Sequence, residues 1–502
     1  MKWINSKVLV ALALVACVAA PLLMSEKPGE GGSVSAEKAQ RRISIITPHN
    51  ETIRREFGEA FQEWWKEKTG EDVYVNWLTP GGTSEIRMIL SSKFSAAREI
   101  GKEGVGIDVF FGGGDYEFSV QAKAGNLAKL EVFDKHPEWF NDKAIPQSFT
   151  GETYYDEERR WVGVCLSRFG ICYNVDALKR RGLEPPTQWT DLADPKYFGG
   201  IALADPSKSG SVARAFEMLI QQQMHETEAA AKRLPGETPE QFTARVRTAG
   251  WDKGLHLIQK IAANARYFTD SSTKIPHDVA QGNAVAGMCV DFYGRTYEEM
   301  LKQDDGSSRM HWISPTGGTS MSVDPVAVMK GAPDPEIAQA FCEFLLTKKG
   351  QLLWSSKPGT PNGTKYRALR RMPVRRDLYT EENIQHFADA TNPYEETGGF
   401  VYRRELTGKG FTAMRFVIRV MCLDAHDEIK EAWRELSKAG QPERATKVFT
   451  ETTLVSYQNT MGHIRTQLKQ GSKVQSAQQA VKLGKHFRKN YKQAAKLAKE
   501  GK

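Results

Sequence analysis

Residues Gly199–Phe216 read GGIALADPSKSGSVARAF, and the order of residue types in this stretch decides how the rest of the chain is read. Ile201 to Ala204 is a short apolar run of strand type. Asp205 to Ser211 is a turn built from Asp, Pro, Ser, Lys and Gly. Val212, Ala215 and Phe216 then open an apolar helix. A strand, a small-residue turn and a helix in that order form the repeating unit of parallel α/β layers. The turn has two readings. It can cradle an anion, because the first-turn N–H groups of a helix have no backbone partner. It can also simply cap its own helix through Ser209. What the chain places beside it separates the two.

The same unit recurs upstream. A strand, RISIITP (Arg42–Pro48), precedes the helical pattern ETIRREFGEAFQEWWKEKTG, in which Ile53, Phe57, Phe61, Trp64 and Trp65 share a face and Gly70 is the stop. DVYVNWL then leads through Gly81-Gly82-Thr83-Ser84 into another helix, and GIDVFF leads through Gly112-Gly113-Gly114-Asp115 into a third. Downstream, Thr316-Gly317-Gly318-Thr319-Ser320 is a fourth turn of the same chemistry. In open α/β sheets the ligand crevice lies outside the carboxyl ends of the strands, where these turns sit. Gly lets a backbone N–H approach a ligand closely, and Ser or Thr adds a hydroxyl without bulk. Each turn alone is punctuation, whereas the four together imply a shared binding cleft. Neither G-x-x-x-x-G-K-[ST] nor G-x-G-x-x-G occurs, and there is no G-x-S-x-G or H-E-x-x-H. Ser209 has no base partner at sequence level. The chain therefore offers a pocket without an evident catalytic set, and no cofactor is implied.

With 502 residues, 40% hydrophobic and 26% charged, the chain has room for two or three soluble domains. Its net charge of +8 invites a nucleic-acid reading, but eleven Lys and Arg against one acid, Glu500, lie between His463 and Lys502. That stretch carries +10 and leaves −2 for everything before it. The basic character belongs to the tail, and nucleic acid is not an expected partner. At the other end, Lys2 and Lys7 precede an apolar run from Val8 to Met24 and then a polar, Gly-rich stretch, which is the layout of an export signal. Leu14-Val15-Ala16-Cys17 resembles a bacterial lipobox with Cys17 as the lipidated residue, and cleavage further on or an uncleaved anchor remain as alternatives. Export permits disulfides. Cys165 and Cys172 flank LSRFGI, where a tight hairpin would face them across from each other, while buried free thiols are the alternative.

Five stretches together carry a family resemblance. GIDVFFGGG, RWVGVCLSRFGICYNVDAL, TQWTDLADPKYFGGIALADPSKSGS, VAQGNAVAGMCVDFYGR and DPVAVMKGAPDPEIAQAFCEFLLTKKGQLLW occur in the order seen in extracellular solute-binding proteins of bacterial ABC importers. More narrowly, the chain resembles the ferric-iron-type group, which also contains binders of sugar phosphates and phosphonates. The resemblance spans about residues 43–375. It implies an α/β fold of the two-lobe type II periplasmic-binding-protein kind, with two hinge crossovers, near Tyr155 and near Ser320, and a helical C-terminal extension. The expected organisation is a signal or anchor at 1–24 and a flexible linker at 25–42. Lobe one takes 43–155 and 321–400, lobe two takes 156–320, a helical region covers 401–470, and a basic tail ends the chain at 471–502. That tail is expected to be solvated, with an amphipathic helix on an anionic membrane surface as the alternative.

Carried over position by position, the His of the ferric binders falls on His49. Their acid falls within Gly112-Gly113-Gly114, with Asp115 just beyond, and their Tyr pair falls on Phe292-Tyr293. Loss of one phenolate and of the carboxylate removes hard oxygen donors that a ferric ion needs. Iron held by His49, Asp115 and Tyr293 is therefore the alternative, and a small anionic organic solute is the expectation. For that solute Gly82, Thr83, Ser84 and Gly113 on one side supply N–H and hydroxyl groups, and Ser209, Gly210 and Ser211 do so on the other. Lys208, Arg168 and Arg295 supply charge, Arg being shaped for phosphate or carboxylate. Ser272 and Thr273 add donors, Asp291 and His49 accept from hydroxyls, and Tyr116 and Tyr293 wall the cleft. The resemblance implies a monomeric receptor that passes its solute to a membrane permease and catalyses nothing. A secreted enzyme on the same scaffold is the reading from another class.

Overall fold

Asn50 starts the first helix, Glu51–Thr69, by accepting the Ile53 N–H at 3.0 Å, and Gly70, at φ 79°, ends it. Ile53, Phe57, Phe61 and Trp65 bury the face of that helix that looks onto the strands flanking it. Those strands, Arg41–Ile46 and Val73–Leu78, pair in parallel, and Val109–Phe111 pairs in parallel on the other side of Arg41–Ile46. The computed structural model describes residues 34–396 and 399–501. The expected export signal, Cys17 and the first half of the expected linker, residues 25–33, lie outside the described residues.

Two sheets organise the chain. The first has six strands in the order Met372–Pro373, Val162–Ser167, Ser322–Val328, Val109–Phe111, Arg41–Ile46, Val73–Leu78. The second has five, Met310–Ile313, Phe169–Asn174, Ala286–Val290, Ile201–Ala204 and Ala265–Thr269. Ile201–Ala204 runs parallel to both of its neighbours, whereas Phe169–Asn174 runs antiparallel to its own two. Helices cover both sheets, which gives two α/β lobes.

The first crossing differs from its expected place near Tyr155. Val162–Ser167 belongs to the first sheet and Phe169–Asn174 to the second, so the chain crosses at Arg168 and residues 156–167 stay with lobe one. The two strands are therefore not a hairpin. Cys165 and Cys172 sit in different sheets, and all five described cysteines are buried free thiols. Both strands are buried along their whole length. Such strands lack the alternation that tells a hairpin from a sheet-to-sheet crossing. The return lies between Ile313 and Ser322.

The C-terminal tail also departs from expectation. Lys473–Lys499 is one helix, opened by a capping box between Ser472 and Gln475. Leu483, Phe487, Tyr491 and Ala494 are buried against the helices His426–Lys438 and Glu443–Phe449. The Tyr491 hydroxyl donates to the Met421 carbonyl at 3.1 Å and accepts from Gln259 at 3.0 Å. The apolar face read from the sequence is thus spent inside the protein. Lys482, Lys485, Lys489, Lys492, Lys496 and Lys499 point outward from the opposite face. Among the described residues no helix is long and apolar enough to cross a membrane. Replacing Phe487 by alanine is expected to cost about 3–5 kcal/mol in urea unfolding, the range for a large buried aromatic. A solvated tail would show a change within about 0.5 kcal/mol.

Candidate functional site

The two lobes face each other across a cavity of about 470 Å³. Lobe one brings Pro48 and His49, Gly81 to Thr83, and Gly113 to Tyr116 to it, from the turns after its three parallel strands. Lobe two brings Lys208 to Ser211, Ser271 to Thr273, and Phe292 with Tyr293, from the turns after Ile201–Ala204, Ala265–Thr269 and Ala286–Val290. Each lobe thus presents the carboxyl ends of parallel strands, where the fold rule places ligands. Four helices of nine or more residues begin at the cavity or its rim: Thr83–Glu99, Asp115–Lys123, Gly210–Ala230 and Asp291–Met300. At three of these starts no side chain caps the helix. Their dipoles and first-turn amides favour negative charge, part of which the carboxylates of Glu85, Asp115, Glu117 and Asp291 in those first turns already supply.

Ser209 combines both readings of its turn. Its hydroxyl accepts the Val212 N–H at 3.3 Å and so caps the helix, while the residue also lines the cavity. The jaws meet beside it. A Cβ on Gly210 would lie 2.5 Å from Thr83 Oγ1, and one on Gly82 would lie 3.3 Å from the Lys208 carbonyl oxygen. Gly113, at φ 108°, needs the left-handed region and also abuts the Thr83 methyl. In this structure the two jaws are therefore in contact at these turns.

A buried arginine lies on the cavity wall. Arg371 follows the family-like motifs, in the stretch Arg367–Asp377, where several arginines stand too close together for spacing to single one out. Its guanidinium lies 4.4 Å from the Phe292 ring centre and 5.3 Å from that of Trp354. Nη2 donates to Ser167 Oγ at 2.5 Å and pairs with Asp324 at 2.7 Å. Nε and Nη1 are buried with no hydrogen-bond partner among the described residues. His49 Nε2, Thr83 Oγ1 and Trp354 Nε1 share that condition. Burial, with Arg371 and Arg54 adding repulsion, holds His49 well below the usual imidazole pKa, so the ring is neutral. Burial pushes the Asp324 carboxyl up, while Arg371 pulls it back.

Arg214 is the second buried arginine on the cavity. It holds Glu152 at 2.6 Å and 2.7 Å and Glu217 at 2.6 Å, with the Tyr402 ring centre 4.4 Å away. Burial pushes the Glu152 carboxyl up to about 7 against the pull of Arg214. Because Glu152 comes from lobe one and Arg214 from lobe two, the pair spans the cleft.

Of the residues expected at the site, His49, Gly82, Thr83, Gly113, Asp115 and Tyr116 line the cavity from lobe one. Lys208, Ser209, Gly210, Ser211, Ser272, Thr273 and Tyr293 line it from lobe two. Four others are placed elsewhere. Arg168 pairs with Glu396 at 2.7 Å, and Arg295 lies against Trp312 and 3.8 Å from Asp389. The Asp291 carboxylate accepts the N–H groups of Arg168 and Phe292, so it ties its own turn. The Ser84 hydroxyl accepts from Arg415. Arg371, Asp324, Arg214 and Phe411 line the cavity without having been expected there. Nothing local marks them, since each reaches the site by packing between segments distant in the chain.

Two α/β lobes that cross at Arg168 and again before Ser322, and close on a cavity at their strand ends, define the type II periplasmic-binding-protein fold. This is the class of hinged solute-binding proteins that serve ABC importers. The chain belongs to the bacterial extracellular solute-binding protein family, whose profile matches residues 108–375, just over half its length. It is similar to the phosphoglycerate transport regulatory protein PgtC of Salmonella typhimurium, with 26% identity over 227 residues. That alignment covers 44% of this chain and 45% of PgtC, so the chain spans about half the length of that relative. An uncharacterised protein of Haemophilus influenzae is 25% identical over 307 residues, 61% of this chain and 71% of that one. Among solved structures, the periplasmic binding protein AfuA of Actinobacillus pleuropneumoniae, with fructose-6-phosphate bound, superposes with a TM-score of 0.50 at 18% identity. The superposition covers 74% of this chain and 98% of AfuA. At that identity the likeness concerns the fold.

Proposed function

We propose that the chain captures a small anionic organic solute, a phosphate ester, phosphonate or carboxylate, outside the cytoplasm and hands it to the membrane permease of an ABC importer. The observation that carries this reading is Arg371, a buried guanidinium on the cavity wall whose Nε and Nη1 have no hydrogen-bond partner among the described residues. A buried charged donor left unpaired is costly, and an anionic oxygen removes that cost. The converging helix starts favour the same sign of charge. The cavity volume lies within the range of small-molecule sites. Two features set the ferric alternative lower. Burial holds the Tyr293 phenol up at about 12, and Arg404 stands 3.4 Å from the Asp115 carboxylate. In this role the residues bind and release, and no bond is made or broken.

The test is thermal unfolding of the purified protein with phosphoglycerates, sugar phosphates, phosphonates, ferric citrate and polyamines. A solute at a hundred times its dissociation constant adds about 2.7 kcal/mol of stability. Stabilisation by one of the anionic esters is the expected result, and the phosphoglycerates come first because of the PgtC relationship. Stabilisation by a polyamine or by ferric ion, with none from the organic anions, overturns the reading.

A further inference from the structure

The C-terminal extension lies beyond both sheets, yet it reaches the solute cavity. It is fastened to lobe two by buried bonds. Trp251 Nε1 donates to the Val455 carbonyl at 2.9 Å, Trp433 Nε1 to Asn264 Oδ1 at 2.9 Å, and Gln221 Nε2 to Thr407 Oγ1 at 2.7 Å. Its helix Phe411–Ile418 packs against the lobe-two helix Gly210–Ala230. Phe411 lines the cavity and packs against Tyr116, ring centre to ring centre at 4.9 Å.

From this helix and the segment before it, polar side chains cross to lobe one beside the mouth of the cleft. Thr412 Oγ1 and the Tyr116 hydroxyl share a hydrogen bond of 2.7 Å. Arg404 reaches Asp115 at 3.4 Å and donates to Ser119 Oγ at 3.1 Å. Arg415, itself buried, donates to Ser84 of lobe one and to the carbonyls of Pro206 and Ser207 in lobe two, the latter two at 2.5 Å and 2.9 Å. One guanidinium therefore joins the two jaws directly. Ser84 and Tyr116 lie in the first turns of their helices, at the edges that must separate when the cleft opens.

We propose that the extension is a third jaw of the receptor. Carried by lobe two, it walls the solute with Phe411, which limits the size of solute admitted. It latches lobe one through Arg404, Thr412 and Arg415, so the bridges raise the closed population even before solute arrives. A two-state hinge shifts by the difference in interactions between its states, and these bonds exist only in the closed one. The latch rests on the hinged two-lobe fold and not on the charge of the solute.

Small-angle scattering of the full chain without solute tests it. The paired change Arg404→Met and Thr412→Val removes bridges at partly exposed positions and leaves the buried Arg415 in place. The expected result is a larger radius of gyration than wild type, reversed by Arg404→Lys with Thr412→Ser. Equal radii for wild type and variant overturn the latch, whether both are open or both closed. The wall is tested by titrating glycerol 3-phosphate and fructose 6-phosphate into Phe411→Ala. A rise of at least tenfold in the preference for the larger ester supports it, and an unchanged ratio overturns it. If neither ester binds wild type, the same ratio is read with two organic anions of different size that stabilise it, and the scattering result decides the latch independently of the charge of the solute.

Discussion

Replacing Arg371 by methionine is expected to abolish solute binding and to lower stability by about 3 kcal/mol, the lower end of the cost of breaking a buried ion pair. The stability loss arises because Asp324, paired with Arg371 at 2.7 Å, would lose the cation that offsets its burial, and must then stay charged without a partner or take up a proton. The lower end of the range applies because Asp324 opens onto the cavity and keeps the Gly113 N–H. The two effects separate in the double variant Arg371→Met with Asp324→Asn. Removing both charges is close to neutral for stability, so the unfolding midpoint should recover most of the loss. Binding should not recover, because the two spare N–H groups are gone. Urea unfolding and calorimetric titration read the two quantities. Wild-type affinity in the double variant would make Arg371 a partner of Asp324 and nothing more.

Gly210→Ala is expected to leave the fold intact and weaken solute binding by one to two orders of magnitude. The added methyl would sit 2.5 Å from Thr83 Oγ1 in the closed cleft. Overpacking of this kind costs about 1–3 kcal/mol, and 1.4 kcal/mol is tenfold in affinity. In the open cleft Thr83 has moved away with its lobe, and at a helix start alanine is acceptable. The variant should therefore unfold at the wild-type midpoint without solute and scatter as a more open particle. Unchanged affinity would mean that the jaws do not meet at this turn in the bound state.

Most of the local architecture is legible in the residues alone. Ile53, Phe57, Phe61 and Trp65 form one helix face wherever that helix ends up, and Asn50 and Gly70 mark its ends by their own chemistry. Gly82, Thr83, Gly113 and the Ser209–Ser211 turn could be placed at strand ends because each unit folds over a few neighbouring residues. The candidates that failed are instructive for the same reason. Arg168, Asp291 and Arg295 carry chemistry suited to an anion, but each has a carboxylate or backbone group within reach that uses it. Ser84 is taken up by Arg415, more than three hundred residues along the chain.

What the sequence by itself determined is the alternation of strand, small-residue turn and helix, and with it the α/β class and the strand-end turns that line the cavity. These follow from hydrophobic periodicity and backbone preferences that act within a dozen residues. Only the tertiary structure decided that the chain changes lobes at Arg168, that Arg371 and Phe411 reach the cavity, and that the basic tail is a docked helix. Each of those depends on which buried surface meets which. Residues Val162–Asn174 are apolar enough to serve either sheet, an arginine in a cluster becomes special only when its neighbours bury it, and the face of Phe487 and Tyr491 gains its partner only from the helices His426–Lys438 and Glu443–Phe449 packed against it.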